Sequence, residues 1–259
     1  MKVDDGTQQK PIVLVEDLVL AYGGHEILHG VQLRILPQES WFVIGPNGAG
    51  KTTLIKAILG LLHPRSGTLT LAPALTDRRR LGFVPQRLEL PTTVPTTVRE
   101  FVSLGFTGLG LKKAERSKRL AAALAQVGLS DHLCDSMAIL SGGQRQRASI
   151  ARALVREPIL LIVDEPMTGL DLVAERDLMQ LIGSLGRERG LTILFVGHDL
   201  PLVAAHATHV AIVAGGTVRS GSAEEMLTSE SLSQTYGIPI TVSRSNGRPT
   251  IQEGGTFHV

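Results

Sequence analysis

A single cysteine, Cys134, stands among 259 residues, so no disulfide can close within the chain. That usage fits a reducing compartment, and with no catalytic partner pattern around it the thiol reads as structural or incidental. No apolar stretch reaches the ~18 residues that a membrane span needs. The longest mildly apolar run, Pro201 to Gly215, is interrupted by His206 and His209. No secretory leader is expected, because the opening MKVDDGTQQKP is polar and acidic. The net charge of +2 is too small to argue for a nucleic-acid partner. The local basic run Arg78-Arg79-Arg80 reads as a solvated loop. Tandem repeats and low-complexity segments are also lacking. What remains is a soluble or peripheral chain, long enough for one large α/β domain or for a core with a subdomain.

What the chain does have is concentrated in IGPNGAGKTT, from Ile44 to Thr53. The apolar run Trp41-Phe42-Val43-Ile44 before it predicts a buried strand, and Thr52 to Leu61 has apolar residues at helical spacing. Strand, glycine-rich loop and helix form the context that separates a P-loop from a chance G-x-x-x-x-G-K-T match. Gly45, Gly48 and Gly50 remove side chains so that backbone N–H groups can turn inward around an anion; Pro46, Asn47 and Ala49 complete the ring. The helix opening at Lys51 adds free N–H groups and the positive end of its dipole. Lys51 then reaches the β- and γ-phosphates, the Thr52 hydroxyl ligates Mg²⁺, and Thr53 belongs to the same first turn. The stretch reads as a nucleoside-triphosphate site. A bare glycine turn that happens to carry a lysine is the bland alternative.

Around this loop the pattern alternates. Ile12–Leu20 and Ile27–Leu36 predict strands of an antiparallel β layer ahead of the α/β core. The helix from Lys51 is expected to end near Leu62, and strands follow at Thr68–Leu71 and Leu81–Val84. Thr97 is placed to cap a helix with Glu100 three residues on, and Lys113–Val127 has amphipathic spacing. Ser141 sits where the cap of another helix belongs. Ile159–Val163 is fully apolar, as a central parallel strand should be. A helix over about 171–188, a strand at Thr192–Val196 and a hairpin around Gly215-Gly216 follow. The segment from Ser222 predicts two short helices and a polar tail. The expected division is an ATP-binding core over 1–85 and 149–222, an inserted helical subdomain over 86–148, and the C-terminal helices and tail over 223–259.

Several single residues gain meaning only together. Asp164 and Glu165 follow five aliphatics at a strand end. There Asp164 can ligate Mg²⁺, and strand alternation turns Glu165 aside, free to take a proton from water. Otherwise they are a solvated strand end. His198 closes another apolar strand, where a structural histidine is the ordinary reading. Gln86 and Tyr22 are unremarkable alone.

Taken together, these positions and LSGGQ at Leu140–Gln144 resemble the ATP-binding cassette ATPases, over roughly Ile12 to Ser220. The resemblance implies a P-loop NTPase fold with a mixed sheet, ATP and Mg²⁺ as cofactors, and ATP hydrolysis coupled to transport. It makes Glu165, His198 and Gln86 the catalytic set, with Gln86 touching both Mg²⁺ and the attacking water. It puts adenine on Tyr22 and matches Asp171 to the D-loop. It also implies a head-to-tail dimer. Ser141, Gly142, Gly143 and Gln144 of one copy would complete the γ-phosphate cradle of the other. Met167 and Gly197 depart from the family pattern without removing a reacting group.

A single cassette without a span favours the energy-coupling subunit of a transporter over a soluble cassette ATPase acting on DNA or ribosomes. The pore would then be a separate permease, and the chain would sit at the cytoplasmic face of the membrane. RLELPTTVPTTVREFVSLG, FVGHDLPLVAAHATHVAIVAGG and LTSESLSQTYGIPI are similar to the zinc, manganese and iron importer ATPases. That similarity implies an extracytoplasmic substrate-binding protein as a further partner and no nucleic acid. An iron-chelate or other small-solute transporter is the alternative. His206, His209 and His258 lack ligand spacing, so they are not read as a metal site.

Overall fold

The computed structural model describes residues 9–86, 95–245 and 248–254. Its central element is strand β3 (Ser40–Ile44), whose neighbours come from far along the chain. It pairs in parallel with β7 (Thr192–Val196) on one side and β8 (His209–Ala214) on the other. Beyond β7 lie β6 (Leu160–Asp164) and β5 (Leu81–Val84), both parallel, and beyond β8 the antiparallel β9 (Thr217–Ser222). The order is β5-β6-β7-β3-β8-β9.

Adjacent residues of a strand face opposite sides of the sheet. Phe42 and Ile44, with Leu161, Val163, Ile193 and Phe195, enter the core that includes Phe101, Leu124, Ile150 and Leu178. Trp41 and Val43, with Leu160, Ile162, Leu194 and Val196, enter a second core shared with the N-terminal strands and helix α1 (Lys51–Ile58). Both faces are covered, which is why these strands read as continuous apolar runs.

The N-terminal layer is a three-stranded antiparallel sheet, β2-β1-β4, of β1 (Val13–Tyr22), β2 (His25–Ile35) and β4 (Ser66–Leu71). Its alternation is broken at Glu16-Asp17, both exposed, where Asp17 takes φ 47° and the register shifts. That bulge lets Val15 and Leu18, three apart, both face inward.

The helix after the P-loop is shorter than its apolar spacing suggests, ending at Ile58 rather than near Leu62. Gly60 adopts φ 74°, and the N–H groups of Leu61 and Leu62 both return to the Lys56 carbonyl. A left-handed glycine stops the helix before its apolar pattern runs out.

Helices α2 (Val98–Ser103), α3 (Lys113–Gln126) and α4 (Gly142–Leu154) pack on one another around Phe101, Leu124 and Ile150. Thr97 caps α2 and Ser141 caps α4, each in a complete capping box with the residue three on. Helix α5 (Leu172–Arg189) leads into β7, and α6 (Leu200–His206) leads out of it.

The two short C-terminal helices are present as expected, but the residues after them form strands in place of the expected polar tail. After α7 (Ala223–Met226) and α8 (Ser229–Tyr236), β10 (Ile240–Ser245) and β11 (Arg248–Glu253) pair antiparallel, and β11 packs on α6. Ile240 and Ile251 supply the buried face, in an alternation that the intervening polar residues mask.

Candidate functional site

The P-loop leaves the end of β3 and enters α1. Two of its glycines are there for room. A Cβ at Gly45 (φ 143°) would run into the Val213 carbonyl, and one at Gly50 (φ 108°) into Leu28 at 2.9 Å. The first turn of α1 holds no acidic residue, so its N–H groups face an anion site without competition.

Lys51 is 6% exposed and folded back over the loop. Its ammonium donates to the carbonyls of Gly45 at 2.7 Å and Pro46 at 3.0 Å. Burial lowers its pKa, while the carboxylates of Glu165 and then Asp164 pull it back up. Thr52 is exposed at the loop mouth and Thr53 is buried beneath it.

Asp164 ends β6, and burial first, then the neighbouring Glu165, raises its pKa, against the pull of Lys51. Glu165 lies just past the strand and has a left-handed backbone, φ 39°. A turn therefore sets its position, and not the pleat alternation expected from the sequence. Its N–H donates to the Val196 carbonyl at 2.9 Å, which ties the turn to β7. The side chain, 17% exposed, accepts the Gln86 amide at 2.7 Å on one oxygen. Its other oxygen lies 3.8 Å from His198 Nδ1. Gln86, Glu165 and His198 thus converge from the ends of three adjacent strands. Glu165 and His198 also line a cavity of ≈ 230 Å³ with Met167, Gly197 and Leu202.

The signature stands elsewhere on the surface. Ser141 is exposed at the start of α4, its Oγ accepting the Gln144 N–H at 3.2 Å. A Cβ on Gly142 would crowd Leu170, and one on Gly143 would crowd Ala174, each at 3.2 Å. The signature therefore lies against the entrance to α5. There the Asp171 carboxylate accepts the N–H groups of Val173 and Ala174 and caps that helix. Tyr22, 44% exposed at the end of β1, has the Lys56 ammonium 5.8 Å from its ring centroid.

Other polar groups have local partners. Arg79 pairs with Asp77 at 3.4 Å, and Arg80 donates to the Glu157 carbonyl at 3.2 Å. His209 stacks on Trp41 at 4.8 Å and lies 3.4 Å from Glu39. Among the described residues no group of three His, Cys, Asp or Glu side chains could hold a metal ion, and His258 lies outside them. One neighbour of the loop had no signal in the sequence. Tyr236 of α8 brings its hydroxyl toward the Gly45 N–H. Burial pushes that phenol up to about 12, Gly45 pulling the other way, and the hydroxyl forms no well-shaped hydrogen bond.

A P-loop at the end of a parallel strand, an acidic pair on the next strand but one and a capped signature helix define an ATP-hydrolysing cassette. The chain belongs to the ABC transporter family, whose model matches residues 28–168. The chain binds ATP and hydrolyses it to drive transport. No helix among the described residues is itself long and apolar enough to cross a membrane.

Among its relatives is the zinc import ATP-binding protein ZnuC of Pseudomonas fluorescens, 35% identical over 87% of this chain and 82% of that protein. ZnuC of Yersinia enterocolitica is 37% identical over 87% and 85% respectively. Among solved structures, cbiO1 of Clostridium perfringens, part of the transporter complex cbiONQ, is 30% identical. It matches with a TM-score of 0.76 over 87% of this chain and 94% of its own. An inward-facing ABC transporter structure matches at TM-score 0.86 over 97% of this chain and all of that one. At 24% identity it speaks to the fold alone.

Proposed function

We propose that this chain is the ATPase subunit of a metal-ion importer, with zinc the leading substrate and manganese or iron within the same class. The zinc-import relatives carry the substrate reading, since the transported ion never touches this subunit. The chain would attach to the cytoplasmic face of the membrane through its permease, with an extracytoplasmic binding protein delivering the ion.

Within the subunit we assign 1–85 and 149–222 to the ATP-binding core and 86–148 to the helical part that moves against it. Residues 223–259 form a C-terminal appendage. Residues 87–94, where the permease-docking segment begins, lie outside the described residues. Docking is assigned to this segment and its continuation into α2. Glu100 is a poor probe of docking, because its carboxylate accepts both the N–H and the hydroxyl of Thr97 and completes the cap of α2. Arg99 is the cleaner choice.

The observation that carries the chemistry is the Gln86–Glu165–His198 convergence beside Lys51. Lys51 is the cation that the loop offers to the β- and γ-phosphates, and Tyr22 is the platform for adenine. The donors also fit Mg²⁺. Burial and the neighbouring Glu165 disfavour the charge of Asp164 at a half-buried strand end, Lys51 offsets them only in part, and the Thr52 hydroxyl is exposed nearby. Mg²⁺ held by Thr52, Asp164 and Gln86 would neutralise phosphate charge during transfer. Asp164 is then committed, and Glu165 is left to accept the proton of the attacking water. Gln86 fixes the Glu165 carboxylate, and His198 stands on its far side to hold the γ-phosphate. Ser141, Gly142 and Gly143 of a second copy close the site, with Gln144 supporting them and Asp171 at the same interface.

Uptake assays with the subunit and its permease in proteoliposomes test this reading. ATP-dependent accumulation of Zn²⁺, Mn²⁺ or Fe²⁺ is expected. Accumulation of a ferric chelate instead would move the assignment to the small-solute class, and co-purification with ribosomes or DNA would remove it from transport.

A further inference from the structure

The signature helix has a tether that its motif does not include. Gln144 completes the capping box by accepting the Ser141 N–H on Oε1 at 2.9 Å. A backbone N–H can only donate, so this contact fixes which end of the amide faces Ser141. The amide nitrogen must then point the other way, where it meets Nε2 of His132 at 3.3 Å. An amide nitrogen can only donate, so His132 Nε2 must carry its lone pair. The imidazole proton is left on Nδ1, which lies 2.7 Å from Asp135 Oδ2 and donates to it. One directed chain runs from Asp135 through His132 and Gln144 to the Ser141 backbone, and only the neutral Nδ1–H tautomer satisfies it.

The far end of this chain is anchored to α2. The Val98 N–H donates to the Asp135 carbonyl at 2.9 Å and the Arg99 N–H to the Leu133 carbonyl at 3.1 Å. The Met137 N–H donates to the Thr96 carbonyl at 2.8 Å, and Thr97 bridges Ser136. The loop that carries His132 and Asp135 is therefore a backbone extension of the start of α2.

We propose that His132, oriented by Asp135, is a positioning residue for the signature loop, fixing Gln144 and through it the Ser141 backbone that presents the Ser141 hydroxyl to a γ-phosphate in trans. This rests on the assignment of Ser141–Gln144 as the phosphate-binding signature. It adds that movement at the start of α2 reaches the signature through an imidazole, and not through the backbone of α4 alone.

The test compares the full chain with its His132→Leu, His132→Gln and Ser141→Arg variants. Glutamine carries its Oε1 as many bonds from Cβ as histidine carries Nε2, so His132→Gln keeps an acceptor for the Gln144 amide. His132→Leu should lower kcat by about fivefold or more while leaving monomer ATP affinity within about twofold, as loss of one transition-state-aligned hydrogen bond predicts. His132→Gln should recover kcat to within about twofold of wild type. Imidazole ¹⁵N NMR of the unsubstituted chain should show His132 protonated at Nδ1 and bare at Nε2. Wild-type kcat in His132→Leu, no recovery in His132→Gln, or the opposite tautomer would overturn the proposal. Ser141→Arg separates the two levels. If it is inactive while His132→Leu is not, only the positioning role fails. If Ser141→Arg turns over normally, the signature assignment fails with it.

Discussion

The Gln86 amide donates to Glu165 at 2.7 Å across the ends of β5 and β6. The contact joins residues 79 positions apart in sequence. It holds one carboxylate oxygen and leaves the other directed toward His198.

That geometry makes Glu165 the residue whose loss should stop the chemical step. Glu165→Gln keeps the shape but not the basicity, so single-turnover hydrolysis should slow by ~10²-fold or more while ATP still binds. On the proposed ATP-sandwich dimer, which hydrolysis would reopen, this variant should accumulate as an ATP-bound dimer on size exclusion with Mg²⁺. Near-normal turnover by Glu165→Gln, with His198→Ala inactive, would transfer the central role to the histidine.

Lys51 holds two loop carbonyls and is the one cation the loop itself offers. Lys51→Ala should weaken ATP binding by about 10- to 100-fold, the scale of a lost charge-assisted hydrogen bond. The fold should survive, because burial already works against the ammonium. Titration with a fluorescent ATP analogue decides it; unchanged affinity with normal hydrolysis would remove the P-loop assignment.

Asp164 is raised above its ordinary 3.8, chiefly by burial. The folded chain therefore holds that proton more tightly than the unfolded chain does. The stability this contributes is fully present below pH 3.8 and is lost as pH rises through the higher folded value, so the bare carboxylate is a net cost at neutral pH. Asp164→Asn should accordingly raise the melting temperature of the nucleotide-free chain at pH 7, with the gap closing as pH falls toward 3.8. A lower melting temperature at pH 7 would mean that Lys51 outweighs desolvation.

The Tyr236 hydroxyl is buried beside Gly45 without a well-formed hydrogen bond. Removing an unsatisfied group should be neutral or gain about 1 kcal/mol, so Tyr236→Phe should melt no lower than wild type and up to ~2–4 °C higher. A clear drop in calorimetry would show that the hydroxyl is bonded through water or to the loop.

Much of the molecule was legible from sequence because its physics is local. The caps at Thr97 and Ser141 depend on residues three apart. The strand–glycine–helix run around Lys51 depends on ten consecutive residues. The apolar runs of β3, β6 and β7 announce burial on two faces. Two local readings failed where a single backbone conformation overrode the pattern. Gly60 ended α1 early, and a left-handed Glu165 replaced a pleated one.

What only the tertiary structure decided is which distant residues meet. Leu81–Val84, Leu160–Asp164 and Thr192–Val196 are neighbours because their apolar faces share two cores, and no spacing in the chain encodes that order. The order alone brings Gln86, Glu165 and His198 within reach of one another. The same holds for Tyr236 at Gly45, for His132 at Gln144, and for the hairpin β10–β11 on α6. The hairpin and the strand order are held by burial, which is non-directional and leaves in sequence only the trace that some side chain must be apolar. The His132–Gln144 pair is a directed hydrogen bond between polar side chains that carry no pattern at all.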